Sequence, residues 1–155
     1  MEKHTERTLI LVKPDGVQRG LVGSIILRLE SRGLKILGLK MLRLNSEMAE
    51  KHYGVHKDRP FFPNLVDFIT SGPIVAVVLE GSNAVEIVRR TMGSTNPVQA
   101  EPGTIRGDLA TDIGRNLIHG SDSSNTAVAE INFFFSEDEL MDYQRTADHW
   151  INELQ

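Results

Sequence analysis

The chain contains no cysteine, which excludes disulfides and thiolate zinc sites and gives no sign of an oxidising compartment. It also lacks a long apolar run. The longest, Ile74 to Leu79, is far below the ~20 residues that a membrane-spanning helix needs. The start, Glu2-Lys3-His4, is charged and has no apolar segment of the signal-peptide kind, so a cytoplasmic location is expected. An excess of positive charge is missing too: the net charge is −4. That excludes a surface built as a whole to attract nucleic acid, which depends on many clustered lysines and arginines. Any anion site must therefore be local. Motif by motif, there is no G-x-x-x-x-G-K, G-x-G-x-x-G, H-E-x-x-H or G-x-S-x-G. P-loop, dinucleotide, zincin and hydrolase-elbow chemistry accordingly has no motif support. No internal repeat or low-complexity segment is present.

What is there is an ordinary globular composition, 155 residues with 40% hydrophobic and 25% charged. A chain of this size fits one domain, here residues 1–155, that buries about 70% of the surface its unfolded form exposes. The segment Arg7 to Val12 reads as a buried strand stopped by the turn sequence Lys13-Pro14-Asp15-Gly16, which sets Lys13 at a strand end. Val22, Ile25, Ile26 and Leu29 recur at helical spacing with Gly33 as the stop, and Leu34 to Leu44 returns as a strand. Ser46 is expected to cap a short helix closed by Gly54. His52 and His56 are four apart, a spacing that chelates metal only if that helix continues, and Gly54 argues that it does not.

The next helix is expected to start at Arg59-Pro60, with Pro60 near its first position. It carries two apolar stripes, Phe62/Val66/Ile69 and Phe61/Leu65/Phe68. One can serve the core; the other is either core as well or an aromatic platform for a flat ligand such as a nucleobase. The β-branched run after Pro73 reads as a strand covered on both faces. Asn83 and Glu86 resemble a capping box for a helix that ends at Gly93, with Arg89 and Arg90 in its last turn. From Ser94 to Arg115 there is no usable periodicity, and a loop this long inside one domain is functional unless misread. Arg106-Gly107-Asp108 spells an adhesion tripeptide by chance. Its guanidinium and the nearby hydroxyls suit phosphate contacts better.

Asn116-Leu117-Ile118-His119-Gly120-Ser121-Asp122 sets a histidine in a glycine-containing loop. Such an imidazole is mostly neutral at pH 7 and can act as base, ligand or nucleophile. Asp122, Ser123 and Ser124 are cap candidates for a helix bearing Ala127, Val128, Ile131, Phe134 and Phe135, with Glu130 about two turns in. Ser136 to Glu139 forms a second capping box that opens a short helix through Leu140, Met141 and Tyr143. In the polar tail, Trp150 is expected to anchor on this or a neighbouring subunit. The cations Lys13, Arg89 and Arg106, the platform Phe61 and Leu65, and His119 together suit nucleotide phosphate chemistry, which proceeds by positioning and charge stabilisation.

Lys13-Pro14-Asp15-Gly16-Val17, Arg59-Pro60-Phe61-Phe62, Thr95-Asn96-Pro97, Gly103-Thr104-Ile105-Arg106-Gly107-Asp108 and Asn116 through Asp122 occur in that order. In these stretches the chain resembles the nucleoside diphosphate kinases, the last being that family's active-site signature. The resemblance implies an α/β (α+β) ferredoxin-like fold, a four-stranded antiparallel sheet covered by helices, with a long loop before the active-site histidine. It implies that His119 takes the γ-phosphate of a nucleoside triphosphate as a pros-phosphohistidine and passes it to a nucleoside diphosphate, a ping-pong reaction. Glu130 and Ser121 would orient the imidazole. Lys13 would contact the ribose 3′-hydroxyl and the transferred phosphate, and Asn116 the ribose. Arg89, Thr95 and Arg106 would hold the α- and β-phosphates, with Tyr53 close to the γ position and His56 near the phosphates. Phe61 would stack on the base, with Ile113 opposite and Leu65 at the edge. Ile113 stands where valine is common in the family.

Mg²⁺ would arrive on the nucleotide, with no metal ligands from protein side chains. Contacts that ignore the base edge imply weak discrimination among bases. The implied partners are ATP and other nucleoside tri- and diphosphates and further copies of the chain. The tail around Trp150 resembles eukaryotic members and favours a homohexamer, with a homotetramer as alternative. No membrane and no specific nucleic acid is implied. Two rivals make different demands: a non-catalytic nucleotide or RNA module requires a missing catalytic residue, and a hydrolase requires Ser121, His119 and Asp122 to meet as a triad.

Overall fold

The computed structural model describes residues 5–153; the charged start Glu2-Lys3-His4 lies outside them. Four strands, β1 (Thr5–Val12), β2 (Lys35–Leu42), β3 (Ile74–Ser82) and β4 (Ile118–Gly120), form one sheet in the order β2-β3-β1-β4 with every pairing antiparallel. Helices α1 (Pro14–Gln18), α2 (Val22–Glu30), α3 (Ser46–His52), α4 (Phe62–Ile69), α5 (Ala84–Met92), α6 (Ile105–Leu109), α7 (Ser124–Phe134) and α8 (Asp148–Ile151) connect and cover it. Single 3₁₀ turns lie at Gly54–His56, Pro97–Gln99 and Glu137–Glu139. This is the ferredoxin-like arrangement that the sequence resemblance implied.

Both central strands are buried on two faces, as their unbroken apolar runs required. Alternation along β1 sends Ile10 and Val12 to one side, where they pack with Ile25 and Leu29 of α2 and Val88 and Met92 of α5. Leu9 and Leu11 go to the other side, against Val66 and Ile69 of α4 and Ile131 and Phe134 of α7. All four strand residues are fully buried, each contributing on the order of 2 kcal/mol by leaving water. The stripe Val66/Ile69 thus belongs to the core, joined by the half-buried Phe62, while Phe61 remains exposed.

Local details differ from the sequence reading, each for a physical reason. Lys13-Pro14-Asp15-Gly16 does not end in a free turn but runs directly into α1, because Pro14 suits a first helical turn. Asn45, not Ser46, caps α3, its side chain accepting from the Met48 N–H at 2.8 Å. Helix α4 begins at Phe62, and the proline in its first turn is Pro63 rather than Pro60. Asn83 makes no capping bond because it sits in the left-handed region at φ 54°. The carboxylate of Glu6 accepts from the Val85 N–H at 2.9 Å instead.

The unpatterned stretch from Ser94 to Arg115 holds α6, capped by Thr104, whose side chain accepts from the Gly107 N–H at 3.0 Å. Arg106-Gly107-Asp108 lies within it with Arg106 buried. Val128 points to solvent rather than into the apolar face of α7. The capping box at Ser136 is present, but its helix stops after one turn and does not reach Tyr143. Trp150 is 83% exposed, its ring beside that of His149 with centroids 4.9 Å apart, so it is not buried among the described residues of this chain.

Candidate active site

His119 is not in a loop; it is the middle residue of β4, pairing directly with Leu11 of β1. Residues directly opposite in an antiparallel pair share a face. His119 therefore projects on the Leu9/Leu11 side, under α7, while Ile118 and Gly120 face α5 on the other side. A Cβ on Gly120 would lie 2.5 Å from the Met92 sulfur, so this strand can sit so close to α5 only with glycine there.

From the second turn of α7, Glu130 reaches back to the imidazole: His119 Nε2 to Glu130 Oε2 is 2.7 Å. A carboxylate only accepts, so Nε2 carries the proton and Nδ1 keeps its lone pair. The Ser121 hydroxyl donates to the other carboxylate oxygen, Oε1, at 2.6 Å. Burial by itself would raise the Glu130 carboxyl, but the bonds from His119 and Ser121 and the proximity of His52 hold it below its ordinary value. It is thus a fixed anion that orients the ring. Ser121 is fully buried and committed to Glu130, so the Ser121, His119 and Asp122 triad does not form.

Tyr53 and His52 close the far side. His52 stands edge-on to His119, with ring centroids 5.0 Å apart, and its Nδ1 is 3.6 Å from Glu130 Oε2. Burial first, then the neighbouring His119, pushes the His52 imidazole down to about 4, so it is neutral at pH 7. Burial and the Glu130 charge push the Tyr53 phenol up to about 12, which keeps it a hydrogen-bond donor. The chelating pair considered from sequence, His52 with His56, is not formed: the helix ends at His52, and His56 packs against Phe61 with centroids 5.5 Å apart.

Cations converge from three elements. Lys13, just past β1, donates to the Asn116 side-chain oxygen, and Asn116 in turn donates to the Thr95 carbonyl at 2.9 Å. One amide thus ties strand end to loop. Arg106 is 5% exposed and spends three bonds on carbonyls, those of Asn116, Gly93 and Ile118. Two of its five N–H groups remain, and among the described residues no carboxylate forms an ion pair with it. Burial and Arg89 lower it to about 10, and burial lowers Lys13 to about 8, with Arg106 and Arg115 adding to that and Asp15 opposing it. Both remain charged at neutral pH, so the mutual repulsion marks a place prepared for an anion. Arg89 reaches the Gly120 carbonyl at 3.3 Å.

Leu117 holds the bend between Asn116 and β4 at φ 74°, a left-handed conformation that costs a non-glycine residue on the order of 1 kcal/mol or more. Asp15 fixes it by accepting from the Leu117 N–H at 3.0 Å, and the Lys13 N–H bonds the Leu117 carbonyl at 2.8 Å.

Phe61 and Ile113, 49% and 59% exposed, are available apolar surfaces on separate segments, with Leu65 half-buried beside the first. Thr95 is exposed. Sequence reasoning missed His52 as a neighbour of the reactive ring, Asp15 as the brace of Leu117, and Arg115, whose guanidinium lies 4.2 Å over the Phe68 ring. Arg115 adjoins the Asn116 motif, which was the one available signal. A separate open hollow of about 1030 Å³ lies beyond Arg89. Its carboxylates Glu6, Glu86, Glu101 and Asp122 outnumber Arg89 and Arg90, which disfavours an anionic ligand.

The chain is similar to known proteins over nearly its whole length. The family model described as nucleoside diphosphate kinase matches residues 6–140. The nucleoside diphosphate kinase of Thermomicrobium roseum is 60% identical over 146 residues, 94% of this chain and 98% of that protein. That of Archaeoglobus fulgidus is 57% identical over 96% of this chain and 98% of its own length. Among solved structures, the halophilic enzyme of Halobacterium salinarum in complex with CDP superposes with a TM-score of 0.94 at 53% identity, covering 97% of this chain and all of that one. A family protein of Babesia bovis gives 0.92 at 42% identity, over 95% of this chain and 99% of its own. The histidine on its short strand, the carboxylate behind it and the cations in front thus stand in a chain that belongs to the nucleoside diphosphate kinase family.

Proposed function

We propose that the chain transfers the γ-phosphate of a nucleoside triphosphate to a nucleoside diphosphate in two steps through phospho-His119. The observation that carries this reading is the 2.7 Å bond from His119 Nε2 to Glu130, which leaves Nδ1 as the nucleophile. In the first step Nδ1 attacks the γ-phosphorus and a nitrogen–phosphorus bond forms. The bond to the bridging oxygen breaks, and its electron pair leaves on the diphosphate. The imidazolium that develops keeps its Nε2 proton, and Glu130 stabilises the positive charge. In the second step the terminal oxygen of a new diphosphate attacks the same phosphorus, and the lone pair returns to Nδ1.

The remaining residues bind and position. Lys13 and the protonated Tyr53 face the transferred group, Lys13 and Asn116 take the ribose, and Arg89, Thr95, Arg106 and His56 take the phosphates. The base lies between Phe61 and Ile113 with Leu65 at its edge. A π-face common to all bases gives low base specificity, and the CDP bound by the Halobacterium salinarum relative supports nucleoside diphosphates as ligands. Mg²⁺ comes with the nucleotide and offsets charge on its phosphates. The residues present fit that route, because the one group of three His, Asp or Glu ligands among the described residues is His52, His119 and Glu130, nitrogen-rich where Mg²⁺ prefers oxygen. We read the protein as a cytoplasmic homohexamer, with the homotetramer as alternative, to be settled by light scattering of the eluting protein; no helix among the described residues can cross a membrane.

The test is incubation with γ-labelled ATP and Mg²⁺. An acid-labile, base-stable phosphoprotein that loses its label to any added nucleoside diphosphate is expected. Label that persists in a His119→Ala variant would sink the assignment.

A further inference from the structure

His52 is a buried imidazole, its side chain 4% exposed, for which catalysis as derived above has no use. Nε2 has no hydrogen-bond partner among the described residues, and Nδ1, 3.6 Å from Glu130 Oε2, is beyond hydrogen-bonding distance too. The nitrogen that matters for a ligand is Nδ1, because it is the one turned toward Glu130, and a buried polar nitrogen left unpaired is uncommon because its desolvation goes uncompensated. One nitrogen of His52, one of His119 and a carboxylate oxygen of Glu130 all lie within 4.8 Å of one another. Two of the separations, 2.7 and 3.6 Å, bracket the ~3.3 Å edge of a tetrahedron around zinc with its bonds of about 2.0–2.1 Å.

We propose that His52, His119 and Glu130 form a binding site for a borderline divalent transition-metal ion of the zinc class, which holds the enzyme in an inactive form. Two histidines and a carboxylate form a recurring zinc donor set, with a fourth position left to water. The 27% exposure of the His119 side chain provides the entry path. Mg²⁺, which prefers oxygen, does not compete there.

The consequence for catalysis follows from the tautomer, and it rests on the phosphohistidine reading above; the binding itself does not. Zinc sheds hydration waters and takes the lone pairs of His52, His119 Nε2 and Glu130. The proton formerly on Nε2 moves by exchange with solvent to Nδ1, so the ring stays neutral. The nitrogen that attacks phosphorus then carries a proton and has no lone pair.

Zinc binding to the full-length, nucleotide-free protein is measured at neutral pH by competition with a fluorescent zinc indicator, alongside the ¹⁵N shifts of the histidine rings. One ion per chain, with micromolar or tighter affinity and His119 protonated at Nδ1, is expected. His52→Phe, which keeps a ring of similar shape, and His119→Ala, at a partly exposed position, each weaken binding at least about tenfold; His149→Ala does not. Labelling from γ-labelled ATP disappears in the zinc-loaded protein and returns with a zinc-selective chelator. Absence of binding, or binding that neither site variant weakens, overturns the proposal while leaving phosphotransfer untouched. Site-specific binding in a protein that forms no phosphohistidine even when metal-free would support the metal site and overturn the phosphotransfer reading instead.

Discussion

Glu130 accepts two bonds on two different oxygens, from His119 at 2.7 Å and from Ser121 at 2.6 Å. A glutamine in its place offers one acceptor and turns an amide N–H₂ toward a donor. Glu130→Gln is therefore expected to slow phosphohistidine formation about 100-fold, the scale on which a misplaced reacting group loses rate. Rapid-quench labelling checks this, and a far-UV spectrum equal to wild type excludes unfolding as the cause. Lys13 sets the alkaline side. With its ammonium lowered to about 8, the charge that its proposed role sets at the transferred phosphate is lost as pH rises through that value, and the phosphorylation rate should fall with it. In Lys13→Arg, slower overall, that alkaline limb should vanish. The sign for folding is opposite: the unfolded lysine titrates at 10.5, so between about 8 and 10.5 the unfolded chain binds more protons and this group adds stability as pH rises.

At the scale of elements, the site depends on short pieces that local pattern does not announce. Helix α6 has five residues with a glycine at its centre, and its existence rests on the Thr104 cap and on Arg106 finding three carbonyls. Thr104→Ala removes the cap and is expected to cost about 1 kcal/mol, read as a lower midpoint in urea. Gly107→Ala is expected to be far worse, because a Cβ there would stand 2.1 Å from the Glu101 carbonyl oxygen. The same brevity hid β4. Three residues cannot show alternation, so the histidine read as looped, whereas β1 and β3 were legible because their apolar runs are long and unbroken. The two stripes of α4 were legible as well, but only packing shows that Val66 and Ile69 face the core while Phe61 stays open.

For the molecule as a whole, the groups buried around His119 couple the site to acid stability. His52 titrates near 6.5 when unfolded and at about 4 when folded. Between those values the unfolded chain binds more protons, so stability falls as pH drops from 6.5 toward 4. Loss of the Glu130 anion, itself held below its ordinary value, adds in the same direction. Urea denaturation across this range should show a shallower decline in His52→Phe; an unchanged slope would count against His52 as a source.

The ordered motifs around Lys13, Arg106 and His119 were enough to suggest the family by resemblance, and residue type and local period were enough for the alternation of strands and helices; both are matched by the family model over residues 6–140 and by the four-stranded sheet with its helices. The resemblance implied a phosphate on the pros nitrogen and Ser121 in support; tertiary structure supplied the bonds that would produce this, His119 Nε2 and Ser121 Oγ on the two oxygens of Glu130, and set His52 edge-on to His119 and Arg115 over Phe68. Those facts depend on pairings between distant segments: Leu11 opposite His119 sets its face, and α7 crossing above sets its partner. Such contacts are a property of register and packing and leave no periodic trace in the chain.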